Sequence, residues 1–121
     1  MLWNLDAGHF RAVYLVCGYT DLRFGIVGLA NKVQNEFDLD PFDRDTLFLF
    51  CGRRADRIKG LLWEGDGFLL LYKRLEDGRF KWPRNVSEVR AMSPQQYRWL
   101  MEGLDIRQRS YVKDVTAKRA L

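Results

Sequence analysis

Apolar residues recur along this chain with two different periods, and the switch between them outlines the fold. Ala12 to Cys17 (AVYLVC) is a short run of β-branched and aromatic side chains closed by Gly18, the pattern of a buried strand. Leu22, Ile26, Leu29, Ala30, Val33 and Phe37 then recur at helical spacing, which predicts a helix over 22–37 with one apolar face. Thr20 is placed to cap that helix, and Asp21 stands in its first turn, where a carboxylate suits the positive end of the helix dipole. Gly25 and Gly28 each cost about 1 kcal/mol relative to alanine inside a helix. Close helix–sheet packing is the expected reason for them. Pro41 stops the helix from reaching further.

From Thr46 the period shortens to that of strands. Thr46 to Cys51 (TLFLFC) is a dense apolar strand, followed by candidate strands over 57–64, 68–76 and 79–82. Gly65-Asp66 and Asp77-Gly78 supply the turns between them, and Pro83 ends the last one. Helical signals return with Ser93-Pro94-Gln95-Gln96, an N-cap, a proline at the first helical position and a capping-box glutamine. Tyr97, Leu100, Met101 and Leu104 form its apolar stripe, with Gly103 placed to end it. The predicted class is α+β: an antiparallel meander sheet of about four to five strands, with the main helix on one face and a C-terminal helix. The length of 121 residues suits a single domain over 1–121, in which 106–121 reads as a mobile basic tail.

Closing both hairpins with two-residue turns sets a register. Trp63 then faces Phe68, Leu61 faces Leu70, Lys59 faces Tyr72 and Arg57 faces Arg74. Across the second turn Glu76 faces Arg79, Leu75 faces Phe80 and Arg74 faces Lys81. Alternation sorts these residues into two sets. Ile58, Leu62, Leu69, Leu71, Leu75, Phe80 and Trp82 share the face expected to lie under the main helix, with Lys73 as a charged intruder. The other face holds Arg57, Lys59, Tyr72, Arg74, Arg79 and Lys81, continuing to Leu61, Trp63, Phe68 and Leu70. Like charges directly opposed in a sheet are destabilising. The row of Arg57, Arg74 and Lys81 therefore suits a polyanion, with guanidinium groups on phosphates and Tyr72 as a stacking surface. The alternative is long cationic side chains splayed over apolar surface and paired with carboxylates from elsewhere. Arg53 and Arg54, in the loop at the same end, would extend the patch.

Composition adds little to this but removes several classes. The formal net charge is +4 and the pI about 9.3, a balance that suits acidic partners such as nucleic acid. Cys17 and Cys51, each inside an apolar run, read as buried reduced thiols. With His9 the only histidine, neither a zinc site nor a disulfide framework is indicated, and no cofactor motif is present. The first residues lack a basic start followed by a sustained apolar stretch, and no run is long enough for a membrane span. A reducing cytoplasm is the expected location.

Three stretches carry a wider resemblance. Gly18 to Ala30 (GYTDLRFGIVGLA) resembles the opening of small accessory proteins of bacterial insertion sequences, the second-open-reading-frame (TnpB-like) proteins of the insertion sequence sixty-six family. Leu47 to Lys59 (LFLFCGRRADRIK) is similar to their central segment, and Leu100 to Asp105 (LMEGLD) to their close. Gly60 and Met101 depart from the pattern without touching the basic row. The resemblance implies a protein encoded beside a large transposase, which carries the strand-transfer chemistry, and no firmly assigned catalytic activity of its own. The matching positions include Asp21, Arg23, Arg53, Arg54, Asp56, Arg57, Lys59, Lys73, Arg74, Glu76 and Arg79.

Three functions compete. The first is a non-catalytic accessory factor binding nucleic acid, transposon DNA above all, through Arg53, Arg54, Arg57, Lys59, Tyr72, Arg74, Arg79 and Lys81. The second is a module docking on the cognate transposase through Leu61, Trp63, Phe68 and Leu70, since aromatics dominate interface hot spots. Burial of that apolar end under the C-terminal helix is the competing expectation. The third is a metal-dependent nuclease built on Asp21, Asp56 and Glu76, which requires carboxylates clustered around paired ions. No helix-turn-helix or zinc-finger spacing assigns an element to a DNA groove.

Overall fold

The computed structural model describes residues 10–84 and 88–107. Its elements run β1 (Ala12–Val16), α1 (Ile26–Phe37), β2 (Thr46–Cys51), β3 (Arg57–Trp63), β4 (Phe68–Arg74), β5 (Val89–Met92) and α2 (Pro94–Met101). The strands form one sheet in the order β4-β3-β2-β1-β5. The fold is α+β, as expected, and β2, β3 and β4 are the expected antiparallel meander. The register between β3 and β4 also follows the sequence, from Trp63 opposite Phe68 to Arg57 opposite Arg74. The sheet as a whole is mixed. β1 pairs in parallel with β2, with α1 as the crossover between them, and β5 adds to the far side of β1 antiparallel.

The expected strand over 79–82 does not form. Gly78 turns with φ 83°, but the chain does not come back along β4. Leu75 and Phe80 donate their N–H groups to Asp56 and Ala55 instead, both at 2.7 Å. This path drives Phe80 and Trp82 into the core, where Trp82 Nε1 donates to the Val16 carbonyl at 2.9 Å. The fifth strand is β5, a short segment with no partner near it in sequence.

The sheet is covered on both faces, which explains why every residue of β2 is buried and why its sequence is a continuous apolar run. One face presents Val16, Phe48, Phe50 and Leu61 to Leu29, Ala30 and Val33 of α1. The other presents Leu15, Leu47, Leu49, Ile58 and Leu71 to Tyr97 and Leu100 of α2, with Phe80, Trp82 and Ile106 completing the layer. The main helix was expected on the Ile58–Leu71 face, so the assignment is reversed. Alternation shows which residues share a face but not which helix meets it. Both faces are apolar near the sheet centre.

Helix α1 begins at Ile26 rather than at Leu22, with Gly25 as an N-cap that offers no side-chain acceptor. The Thr20 hydroxyl is buried and finds no hydrogen-bond partner among the described residues. Asp21 takes the N–H of Arg23 in a local turn, so 20–25 forms a loop over the sheet end. A Cβ on Gly28 would come within 3.0 Å of the Phe24 side chain. The close approach there is of loop to helix, not of helix to sheet. In α2 the sequence signals hold: Ser93 Oγ accepts from the Gln96 N–H, Gln96 Oε1 accepts from the Ser93 N–H, and Gly103 turns the chain at φ 81°. Leu104 lies past the helix end and is exposed. Ile106, the first residue of the expected tail, is buried in the core. The rest of the expected tail, 108–121, lies outside the described residues, as does His9.

Candidate nucleic-acid interface

Because β1 and β2 run in parallel, both finish at the same end of the sheet, where three stretches of loop converge. Thr20 donates to the Cys51 carbonyl and Gly18 to that of Pro83, both at 2.8 Å. Gly52 donates to the Arg57 carbonyl at 3.1 Å, closing the turn that carries Arg53 and Arg54. The hydrogen bonds of Leu75 and Phe80 to Asp56 and Ala55 bring 75–80 to the same turn. Sequences far apart therefore place Arg23, Arg53, Arg57, Arg74, Arg79 and Lys81 around one end of the molecule.

Arg53 and Arg54 are exposed on the β2–β3 turn. Arg57 and Arg74 are directly opposed across β3 and β4. Arg57 Nε lies 3.7 Å from Asp56 Oδ1; both atoms are buried and neither has a hydrogen-bond partner among the described residues. Arg74 stands 3.9 Å from Glu76, with both side chains largely in solvent. Lys59, by contrast, is engaged. Its Nζ donates to the carbonyls of Leu22 at 2.6 Å and Phe24 at 3.1 Å, and lies over the exposed Tyr72 ring at 5.8 Å from its centroid. The ammonium holds the loop before α1 against the sheet.

Two hollows flank the turn. One, of about 590 Å³, lies between that loop and the strands and is lined by Leu22, Arg23, Arg57, Lys59, Leu70 and Tyr72, with Asp21 at its edge. The other, of about 310 Å³, is polar and brings Arg79, Lys81, Arg84 and Arg107 together with Asp105 and Tyr19. Arg84 stacks on the Tyr19 ring at 5.8 Å. Arg79 and Lys81 thus reach the basic end through a loop, not as a third strand beside Arg74. Arg23, Arg84 and Arg107 also belong to the cluster, although the strand pattern does not mark them as contacts. Arg23 lies within the TDLR stretch, and that was its signal. Arg84 and Arg107 had none, since only the tertiary path brings them here.

The opposite end is acidic. The loops carrying Asp40, Asp43 and Asp45 and the β3–β4 turn carrying Glu64 and Asp66 meet there, through the N–H groups of Arg11 and Asp45 on the carbonyls of Asp45 and Trp63. Arg11 pairs with Asp43. Phe42, 52% exposed, packs on Trp63 and Phe68 at 5.0 and 5.1 Å between ring centroids. Of the four apolar residues considered for a partner, Leu61 is fully buried and Leu70 half-buried under the α1 side of the core. Trp63 and Phe68 are half-buried, with Phe42 against them. The cover on this face is α1 and its flanking loops, not α2.

The carboxylates considered for metal hydrolysis are drawn to separate arginines. Both Asp21 oxygens are held by the Arg23 side chain, at 2.7–3.1 Å. Those hydrogen bonds, with the Arg23 backbone N–H, hold the Asp21 carboxyl down at about 2. Asp56 lies beside Arg57, and Glu76 beside Arg74. Among the described residues, no three His, Cys, Asp or Glu side chains gather where they could hold an ion. No described helix is long and apolar enough to cross a membrane.

The chain matches, over residues 11–111, the family described as IS66 Orf2 like protein. It is 39% identical over 103 residues to an uncharacterized protein, y4hO, of Sinorhizobium fredii, covering 85% of this chain and 89% of that protein. A second uncharacterized protein of the same organism, y4jC, is 36% identical over 85 residues, covering 70% of this chain and 72% of that protein. No solved structure matches.

Proposed function

The chain belongs to the IS66 Orf2 like protein family, and from that premise we propose that it is a non-catalytic accessory factor of insertion-sequence transposition that binds DNA with the basic end of its sheet. The observation that carries this reading is the gathering of Arg53, Arg54, Arg57, Arg74, Arg79 and Lys81 at one end of the sheet while acidic loops occupy the other. An arginine fork donates two parallel hydrogen bonds to a phosphate, and exposed arginines on adjoining loops can follow successive phosphates. Tyr72 adds a flat ring beside them. Lys59 contributes by positioning the Leu22–Phe24 loop.

Fluorescence anisotropy against labelled transposon-end DNA and a scrambled duplex, over a salt series, tests the proposal. Each neutralised phosphate releases condensed counterion, so affinity should fall steeply with salt. The Arg57→Ala/Arg74→Ala double variant should lower the slope by about 2. No binding of either duplex at low salt would end this reading.

A second reading, docking on the cognate transposase, is favoured by one observation: the aromatic group of Phe42, Trp63 and Phe68 at the acidic end, with Phe42 about half-exposed. Capture of the transposase that survives high salt and is lost in Phe42→Ala would support it.

A further inference from the structure

The larger hollow brings an exposed aromatic ring, two leucines and several cations together. It is lined by Leu70 and Tyr72 of β4, by Arg57 and Lys59 of β3 on the same sheet face, and by Leu22 and Arg23 of the loop. At about 590 Å³ it falls within the roughly 300–1,000 Å³ of sites for small organic ligands. The Tyr72 ring is 53% exposed, and Lys59, seated over it, is already committed to the loop carbonyls. The loop wall is therefore tied to the sheet before any ligand arrives. The Asp21 carboxylate at the edge is occupied by Arg23, which offsets its repulsion of a phosphate. Arg57 Nε remains a buried donor without a hydrogen-bond acceptor among the described residues.

A flat ring flanked by leucines and rimmed by guanidinium groups matches a nucleotide: base on the ring, phosphate at the cations. A base inside a duplex is covered on both faces by its neighbours and cannot lie on Tyr72. We propose that this groove takes one unstacked nucleotide of a single strand, with its base on Tyr72 and its phosphate at Arg57 and Arg23. This rests on the DNA-binding reading and narrows it: the protein would hold DNA best where strands are separated.

The test compares labelled oligothymidylate with a labelled duplex of equal length, by anisotropy at matched salt, for the full chain and for Tyr72→Ala, Tyr72→Leu and Tyr72→Phe. Alanine and leucine should weaken single-strand binding roughly tenfold, the scale of losing one base–aromatic stack, and weaken duplex binding by much less. Phenylalanine should bind like the parent. Circular dichroism checks that each variant is folded, and light-induced crosslinking of 5-iododeoxyuridine in the strand should map to Tyr72. Equal effects of Tyr72→Ala on both ligands, or none on the single strand, would overturn this inference while duplex binding left the basic-end reading standing. Failure of both ligands to bind at low salt would remove the two together.

Discussion

Replacing Lys59 with methionine separates two roles open to a cation on this face. Its Nζ donates to the Leu22 carbonyl at 2.6 Å and to that of Phe24 at 3.1 Å, and both acceptors lie in the loop that leads into α1. A hydrogen bond made by a charged group contributes about 1.5–3 kcal/mol, less where water competes. The shorter of these bonds is partly buried and the longer one exposed, so the pair together falls near the worth of one good bond. Methionine keeps the apolar stem and removes the charge. The expected loss is about 2–3 kcal/mol. For a chain of this size that corresponds to a fall of roughly 8–12 °C in melting temperature, read by circular dichroism. The salt slope of duplex binding should stay as it is, because the ammonium is spent on the protein; a lysine on a phosphate would take about 1 from it. A Lys59→Met variant that melts like its parent and loses that unit of slope would refute the reasoning. Lys59 would then be a phosphate contact, and the loop would be held by something else.

Arg74→Gln relieves the like charges of Arg57 and Arg74, directly opposed across the sheet, without setting a second carboxylate beside Glu76. The melting temperature should rise by a few degrees while DNA affinity falls, and a variant unchanged in both would show that the opposed charges matter to neither. Trp82→Phe removes the buried indole hydrogen bond to the Val16 carbonyl, at about 1–3 kcal/mol, with the lost volume in addition. Urea unfolding should register a loss of about 3 kcal/mol, and less than 1 would count against the hydrogen bond. Burial, with the charge of Asp56 second, pushes the Cys51 thiol up to about 12, and burial followed by Glu88 raises Cys17. An unfolded thiol ionises at about 8.5. The stabilisation is thus fully present below that pH and is lost as pH rises towards 12. Native protein should resist Ellman's reagent at about pH 8 and soften above about pH 9; prompt labelling of the native thiols would contradict this.

What could be read from the sequence follows from how local the determinant is. The β3–β4 register is set by Gly65-Asp66 between two apolar strands, and the start of α2 by Ser93 and Gln96, which satisfy each other's N–H groups. β5 is different. Val89-Arg90-Ala91-Met92 has a charge in the middle and, among the described residues, pairs only with β1, so its identity as a strand depends on a partner that proximity in sequence does not reveal. The Asp77-Gly78 signal made a turn, but the apolar pull of Phe80 and Trp82 towards the core took the chain away from β4. The cations of the site were legible as residue types, and Arg57 and Arg74 as an opposed pair. That Lys59 is committed was not legible, because its acceptors are backbone carbonyls and any residue would supply them.

The polarity of α1 bears on why the charges are distributed as they are. As the crossover between parallel strands it must start where β1 ends, at the arginine end, and finish near the start of β2, among the acidic loops. Its first turn holds no acidic residue and its last turn no basic one. The positive end of its dipole is left uncompensated beside the arginines. Its C-cap is Asp38, in a left-handed conformation at φ 55°, with Asp40 close behind. Carboxylates at a helix C-terminus oppose the dipole, by about 0.3–1 kcal/mol each, and opposed arginines weaken a sheet. A fold tuned for stability alone would reverse both choices. Two independent local penalties thus build the same separation of charge, and a polyanion outside the chain gives that separation a use. On the proposed DNA-binding reading, such a molecule would meet a polyanion basic end first, steered by its own field. On the same reading, Phe42, about half-exposed with Trp63 and Phe68 half-buried behind it, would sit on the side the phosphates repel, where a protein partner could reach it without competing for the DNA.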